Sequence, residues 1–302
     1  MKSLKYKASN GLNIAVNMHL PADFDTDKKY PAIIVGHPMT GVKEQAAGIY
    51  AAAMAKSGYV ALAYDATYQG ESEGEPRGKE DPATRVADFH ELTDFLTTQD
   101  FVDAERIGVI GICASGGYAF KAAQTDKRIK AVAGVSPADV GAVFREGWFG
   151  NAPEDVYGLL TAVNAQRTAE AGGAEPLYVG AMSNNNTPET PKELQDGYEY
   201  YHTARGQHPR STGQFPFVNF DRLIEFSSFD DVLSKLLTQP LLVVAGENAG
   251  TLWTSRTAYD KKVTGEKELF LVKDANHFDL YDKPEYVSQA VERIGQFFAK
   301  HL

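Results

Sequence analysis

A single cysteine, Cys113, stands in a chain of 302 residues. That scarcity excludes an internal disulfide framework and any cysteine-rich metal site. Long apolar runs are also missing, so no segment is expected to span a membrane. The start, Met1-Lys-Ser-Leu-Lys-Tyr-Lys7, has no apolar stretch of the kind a signal peptide needs, which predicts a cytoplasmic protein. Basic residues are in deficit: 30 Lys and Arg face 40 Asp and Glu, for a net charge of −10. Such a balance argues against nucleic acid and anionic membranes as partners. Repeats and low-complexity tracts are absent as well. No metal and no cofactor are expected. The partners expected are a small-molecule substrate and, at most, a second copy of the chain in a homodimer.

What is present is an ordinary globular composition, 43% hydrophobic and 23% charged, long enough for a large core. Apolar strand-like runs alternate with helical patterns. Residues 3–7 and 12–20 read as a hairpin turning at Asn10-Gly11. Strands are predicted over 30–36, 59–64, 106–112, 129–135, 240–245 and 268–272. Helices are predicted over 43–57, 83–97, 118–125 and 286–301. Buried strands separated by helices imply an α/β fold, a mostly parallel sheet with helices on both faces. Ligands then bind beyond the carboxyl ends of the strands. Residues 137–239 offer no strand for that sheet, yet hold aromatic clusters such as Trp148-Phe149 and Tyr198-Glu-Tyr-Tyr-His202. They read as a helical lid inserted into a core made of 1–136 and 240–302.

The cysteine lies in Gly111-Ile-Cys113-Ala-Ser115-Gly-Gly117, between a predicted strand and a predicted helix. A strand turning sharply into a helix through small residues describes a nucleophile elbow, G-x-Nuc-x-G. The turn is strained, and side chains at the flanking positions would collide with the neighbouring strand. A nucleophile there sits at a helix N-terminus, where the dipole favours an anion and hence a thiolate. Two frames fit. Gly111-x-Cys113-x-Ser115 makes Cys113 the nucleophile and Ser115 a small filler. Cys113-x-Ser115-x-Gly117 makes it Ser115. The first keeps glycine two residues ahead and is favoured. The competing reading is an inert buried cysteine in a tight turn.

His277 follows the last predicted strand, so it falls at the same end of the sheet and is the candidate general base. His37, in Gly36-His37-Pro38-Met39-Thr40-Gly41, also follows a strand. Its turn is of the kind that supplies an oxyanion-hole amide, with Met39 as donor and Ala114 as the second. His37 itself reads as a brace for that loop.

Together the elbow, the order nucleophile then histidine, and the His-Pro turn resemble the α/β-hydrolase superfamily. Gly111-Ile-Cys113-x-x-Gly116-Gly117, Gly36-His37-Pro38-Met39-Thr40-Gly41-Val-Lys-Glu-Gln45, Tyr64-Asp65-Ala-Thr-Tyr68-Gln69-Gly70-Glu71-Ser72, Arg205-Gly-Gln-His-Pro209 and Asn276-His277-Phe278-Asp279-Leu280-Tyr281-Asp282 resemble its dienelactone-hydrolase-like branch, in which the elbow nucleophile is cysteine. The resemblance implies an α/β-hydrolase sheet and hydrolysis of an ester, thioester or lactone through an acyl-enzyme. It also implies a triad acid in the turn after the 240–245 strand, where this chain has Gly246-Glu-Asn-Ala-Gly250-Thr251. The acid's position is Gly250. Asp139, after the preceding strand, is the candidate replacement, competing with a role as a helix cap. Glu247 lies too early in the turn. Should Asp139 prove distant, a Cys–His pair is left, and Gly250→Asp is then expected to raise activity. His37, Tyr68, Trp148 and Tyr201 are candidate substrate-binding residues, and the aromatic insertion suggests an apolar acyl group. The alternative function is a degenerate hydrolase fold that binds a small apolar ligand or runs cofactor-free chemistry such as lactonisation.

Overall fold

The protein is described here from a computed structural model that covers residues 1–151, 155–182 and 187–302. Its strands are β1 (Lys2–Lys7), β2 (Asn13–His19), β3 (Tyr30–Gly36), β4 (Val60–Tyr64), β5 (Val102–Ile112), β6 (Ile129–Val135), β7 (Tyr178–Gly180), β8 (Gln214–Pro216), β9 (Leu241–Gly246) and β10 (Lys267–Val272). Its helices are α1 (Ala46–Lys56), α2 (Pro82–Thr97), α3 (Ala114–Thr125), α4 (Val140–Glu146), α5 (Val156–Ala171), α6 (Lys192–His202), α7 (Phe220–Glu225), α8 (Leu233–Leu236), α9 (Leu252–Lys261), α10 (Asp279–Asp282) and α11 (Pro284–His301).

Eight strands form one sheet in the order β1-β2-β4-β3-β5-β6-β9-β10. The β1–β2 and β2–β4 pairs are antiparallel, and every pair from β4 to β10 is parallel. The central strands are apolar on both sides because both faces are covered. Ile34, Val109, Val132 and Val243 point into one core with Phe89, Leu92, Tyr118 and Phe120 of α2 and α3. Their neighbours Ile33, Ile110, Ala133 and Val244 point into the other, with Tyr50 and Met54 of α1 and Ile294 and Phe298 of α11. Alternation along each strand makes the two cores.

Several boundaries differ from the sequence reading. Helix α3 begins at Ala114 rather than Tyr118, because Gly116 and Gly117 hide its first turn from a propensity argument. Helix α1 begins at Ala46 rather than Lys43, whose backbone N–H instead donates to Asp65. The insertion adds helices α4 to α8 between β6 and β9, and β7 and β8 pair only with each other, apart from the main sheet. Tyr201, Trp148 and Phe144 bring the insertion over the carboxyl ends of the strands, where they border one cavity with Cys113. Among the described residues no helix is long and apolar enough to cross a membrane.

Candidate active site

Cys113 is the residue between β5 and α3, and its backbone is strained, with φ 55° and ψ −121°. An L-residue holds such a left-handed φ only when its surroundings over-determine it. Here they do. A Cβ at Gly111 would lie 2.1 Å from the Ser115 carbonyl oxygen, so only glycine lets the strand turn this tightly. The turn presents the thiol to the cavity. Ser115 is fully buried and faces elsewhere: its hydroxyl donates to the His37 carbonyl at 2.5 Å and accepts from the Arg85 guanidinium at 2.6 Å. It is more than a filler. With Arg85, which also donates to the His37 carbonyl at 2.6 Å, it staples the His-Pro turn to the elbow.

That staple fixes the turn that carries Met39, beside the elbow that carries Ala114. The backbone amides of Met39 and Ala114 both act to lower the Cys113 thiol pKa. His37 is buried behind them. Its Nε2 accepts from the Ala66 amide at 3.0 Å and its Nδ1 meets the Pro38 carbonyl at 2.7 Å, a fully used neutral ring. It braces the loop and does not line the cavity, so the substrate-binding expectation for His37 is corrected. Tyr68 is corrected likewise. It borders a separate surface groove with Arg77 and Arg210.

His277 is fully buried at the end of the loop after β10. Its Nδ1 meets the Thr251 hydroxyl at 2.5 Å and its Nε2 the Tyr281 hydroxyl at 2.9 Å. Tyr281 and Cys113 border the same cavity, and the nearby Tyr281 hydroxyl acts to lower the thiol pKa. The residues run in the order Cys113, Tyr281, His277, Thr251. Burial pushes the His277 pKa down to about 3. Burial also raises the Cys113 thiol, against the lowering effect of Tyr281 and the two amides. The resting pair is therefore neutral. The expectation that the helix dipole preforms a thiolate is corrected, because desolvation outweighs it.

Among the described residues no carboxylate hydrogen bonds the His277 ring. Asp139 caps α4 through the Ala142 amide at 3.1 Å, and its other oxygen takes the Ser228 and Phe229 amides and the Ser227 hydroxyl. Its cap role, not the triad-acid role, is the one the geometry supports. Glu247 points at the Asp274 amide. At Gly250, where the resemblance implies an acid, a carboxylate from elsewhere in the chain approaches. Glu193, from α6, accepts from the Gly250 amide at 2.8 Å, the His277 amide at 2.7 Å and the Trp148 indole at 2.9 Å.

A cavity of about 100 Å³ lies over Cys113. Met39, Val140, Val143, Phe144, Trp148, Met182, Tyr201 and Phe278 line it, and among the described residues no charged side chain does. Of the substrate-binding candidates, Trp148 and Tyr201 are in place. The Trp148 ring packs edge-on against His277, with centroids 4.9 Å apart, and stacks on Phe278 at 5.5 Å. The Tyr201 hydroxyl donates to the Met39 carbonyl at 3.3 Å. The sequence reading missed Tyr281, Thr251, Glu193 and Arg85. Tyr281 lies four residues after His277, in α10, a spacing that brings the two side chains together across one turn. Thr251 adjoins the empty acid position. Glu193 is 84 residues from His277 and carries no motif. Among the described residues no cluster of side chains could hold a metal ion.

The family model of the X-Pro dipeptidyl-peptidase (S15 family) matches residues 10–210. The uncharacterized protein YcjY of Escherichia coli is 39% identical over 294 residues, 96% of this chain and 95% of that protein. Thiohydrolase aneE of Aspergillus aculeatus is 25% identical over 83% of this chain and 79% of its own. Among solved structures, the hypothetical protein PA2218 of Pseudomonas aeruginosa superposes with a TM-score of 0.92 at 33% identity, covering 100% of this chain and 93% of that one. The α/β hydrolase GrgF of Penicillium superposes with a TM-score of 0.80 at 18% identity, covering 99% and 98%. The fold is that of the α/β hydrolases.

Proposed function

The chain belongs to the X-Pro dipeptidyl-peptidase (S15) family, and from that premise we propose that it transfers acyl groups to water through a Cys113 thioester. The substrate class is a neutral, apolar thioester, ester or lactone. The observation that carries the reading is the hydrogen-bonded row Tyr281–His277–Thr251, which ends at the cavity that Cys113, Met39 and Ala114 also line. A released dipeptide carries an N-terminal ammonium, which needs a buried anion to receive it. The apolar lining supplies none, so the peptidase activity in the family's name is not carried over. The name of thiohydrolase aneE agrees with a thioester. The dienelactone-hydrolase-like resemblance is kept for the elbow cysteine alone.

In the first step the Cys113 sulfur attacks the acyl carbonyl carbon. Its proton passes to the Tyr281 oxygen as the Tyr281 proton passes to His277 Nε2. The Met39 and Ala114 amides hold the oxyanion, as an oxyanion hole requires. Collapse breaks the bond to the leaving thiolate or alkoxide, which takes the proton back along the same path. The acyl group is now on Cys113. Water attacks it, gives its proton to His277 through Tyr281, and releases the carboxylic acid and the thiol. Thr251 accepts the Nδ1 proton throughout and fixes the ring. Burial keeps the His277 ring neutral before the proton arrives.

The test is mass spectrometry of protein mixed with medium-chain acyl thioesters, aryl esters and lactones. An acyl adduct on the Cys113 peptide, with turnover lost by at least about 10³-fold in Cys113→Ala, is the expected result. Turnover that survives Cys113→Ala overturns the reading.

A further inference from the structure

The fold has lost its triad acid at Gly250, yet a buried carboxylate fills the same space from another direction. Glu193 is 7% exposed, so its charge is largely out of water. A buried carboxylate costs several kcal/mol unless its lone pairs are met. Its partners are the Gly250 amide at 2.8 Å, the His277 amide at 2.7 Å and the Trp148 indole at 2.9 Å. Each belongs to the site. Gly250 precedes Thr251, the partner of the His277 ring. Trp148 walls the cavity and packs on that ring. The glycine is needed, since a Cβ at Gly250 would stand 2.4 Å from the Glu193 Oε2 and 2.6 Å from the Phe149 ring. An aspartate at position 250 and Glu193 exclude each other.

We propose that Glu193 is the positioning carboxylate of this active site, supplied by the insertion in place of the missing triad acid and acting through backbone amides rather than on the imidazole. It clamps the loop carrying Thr251 to the loop carrying His277, and so holds the Thr251 hydroxyl at Nδ1. Assembly of the site then depends on docking of α6. Two further contacts tie the same helix and its following turn to the His277 loop: Asp196 accepts from the Asn276 side chain at 2.7 Å, and Arg205 holds Asp282 at 2.7 and 3.0 Å. Of Glu193, Asp196 and Arg205, Glu193 is the one that hydrogen bonds both loops. The proposal rests on the acyl-transfer reading for its chemistry and on the contacts alone for its geometry.

The experiment is a two-by-two cycle of wild type, Glu193→Ala, Gly250→Asp and the double variant. It is read by kcat and KM on the acyl substrate, by melting temperature, and by the ¹⁵N–¹H NMR signal of the His277 Nδ1 proton. Glu193→Ala is expected to lower kcat about 10- to 100-fold, as for partners that orient a functional imidazole, and to let the Nδ1 proton exchange rapidly with water. Gly250→Asp alone is expected to lose activity through crowding and like charge. The double variant, in which the aspartate has the vacated space, is expected to regain at least about tenfold in kcat over Glu193→Ala and to restore the Nδ1 signal. If Glu193→Ala does not fold, Glu193→Gln preserves the shape and should still weaken that signal, because its amide N–H group must face a donor. A folded Glu193→Ala with unchanged kcat and Nδ1 signal and only a lower melting temperature overturns the proposal. So does a double variant no better than Glu193→Ala. Should wild type turn over no acyl substrate, the acyl-transfer reading fails, and the Nδ1 signal alone still decides the role of Glu193.

Discussion

Replacing Tyr281 with phenylalanine removes one oxygen from the cavity end of the row Tyr281–His277–Thr251. Tyr281 is fully buried, its hydroxyl meets His277 Nε2 at 2.9 Å, and it borders the same cavity as Cys113. The ring keeps its place, since Tyr200 packs edge-on against it with centroids 5.0 Å apart. Stability should fall by about 1–3 kcal/mol, the cost of leaving a buried Nε2 without a partner, which is a drop of several degrees in melting temperature. The chemical step loses its proton path. His277 cannot swing to the sulfur, because Thr251 holds Nδ1 at 2.5 Å and Trp148 flanks the ring. General acid–base catalysis contributes on the order of 10²–10⁴ in rate, or about 3–5 kcal/mol of barrier. The assay is single-turnover acylation, followed by release of the leaving thiol, beside a thermal melt. A folded Tyr281→Phe that acylates within about threefold of wild type, well short of the effect of losing an acid–base partner, refutes the relay and means that His277 reaches Cys113 directly.

Ser115→Ala should retain acyl-enzyme formation at Cys113, seen by mass spectrometry, while the melting temperature falls, because it leaves the Arg85 guanidinium and the His37 carbonyl each one partner short; loss of the adduct would return the nucleophile to Ser115. The pH dependence of Cys113 alkylation by iodoacetamide follows from the directions of the two shifts. The thiol is raised, so thiolate appears only as pH climbs past the ordinary thiol range, and His277, at about 3, is uncharged at neutral pH and offers no cation to stabilise it. The alkylation rate should rise with pH through neutrality without levelling. A plateau near pH 6–7 would mean a preformed ion pair.

The parallel core was legible because its strands announce themselves. Residues 129–135 and 241–246 are near-continuous apolar runs, which only a sheet covered on both faces can use. The start of β5 was not. Val102 to Glu105 reads as polar and half-exposed, and it joins the strand only because Tyr30 of β3 pairs with Val102. The insertion gave a location and a helical character but no tertiary structure. Helix α5 buries Val163 alone, so its placement leaves almost no trace in an apolar pattern.

The candidate site divides along the same line. Cys113 could be found because backbone strain has a compositional signature: a turn with φ 55° demands small neighbours, and Gly111 and Gly116 supply them. His277 could be found from its place after a strand. The acid could not. An acid that grips an imidazole directly must come from a neighbouring strand end, and that rule pointed to Asp139, whose oxygens are spent on the Ala142 amide and the 227–229 segment. A carboxylate that works through backbone amides can come from anywhere in the chain, because every residue but proline offers the same N–H. Glycine at position 250 looked like a deletion, and Gly250→Asp like its repair. Given the 2.4 Å approach of a Cβ there to Glu193, the glycine is the vacancy that the incoming carboxylate requires. Reading a missing side chain as lost function fails wherever the space it leaves is occupied from across the fold.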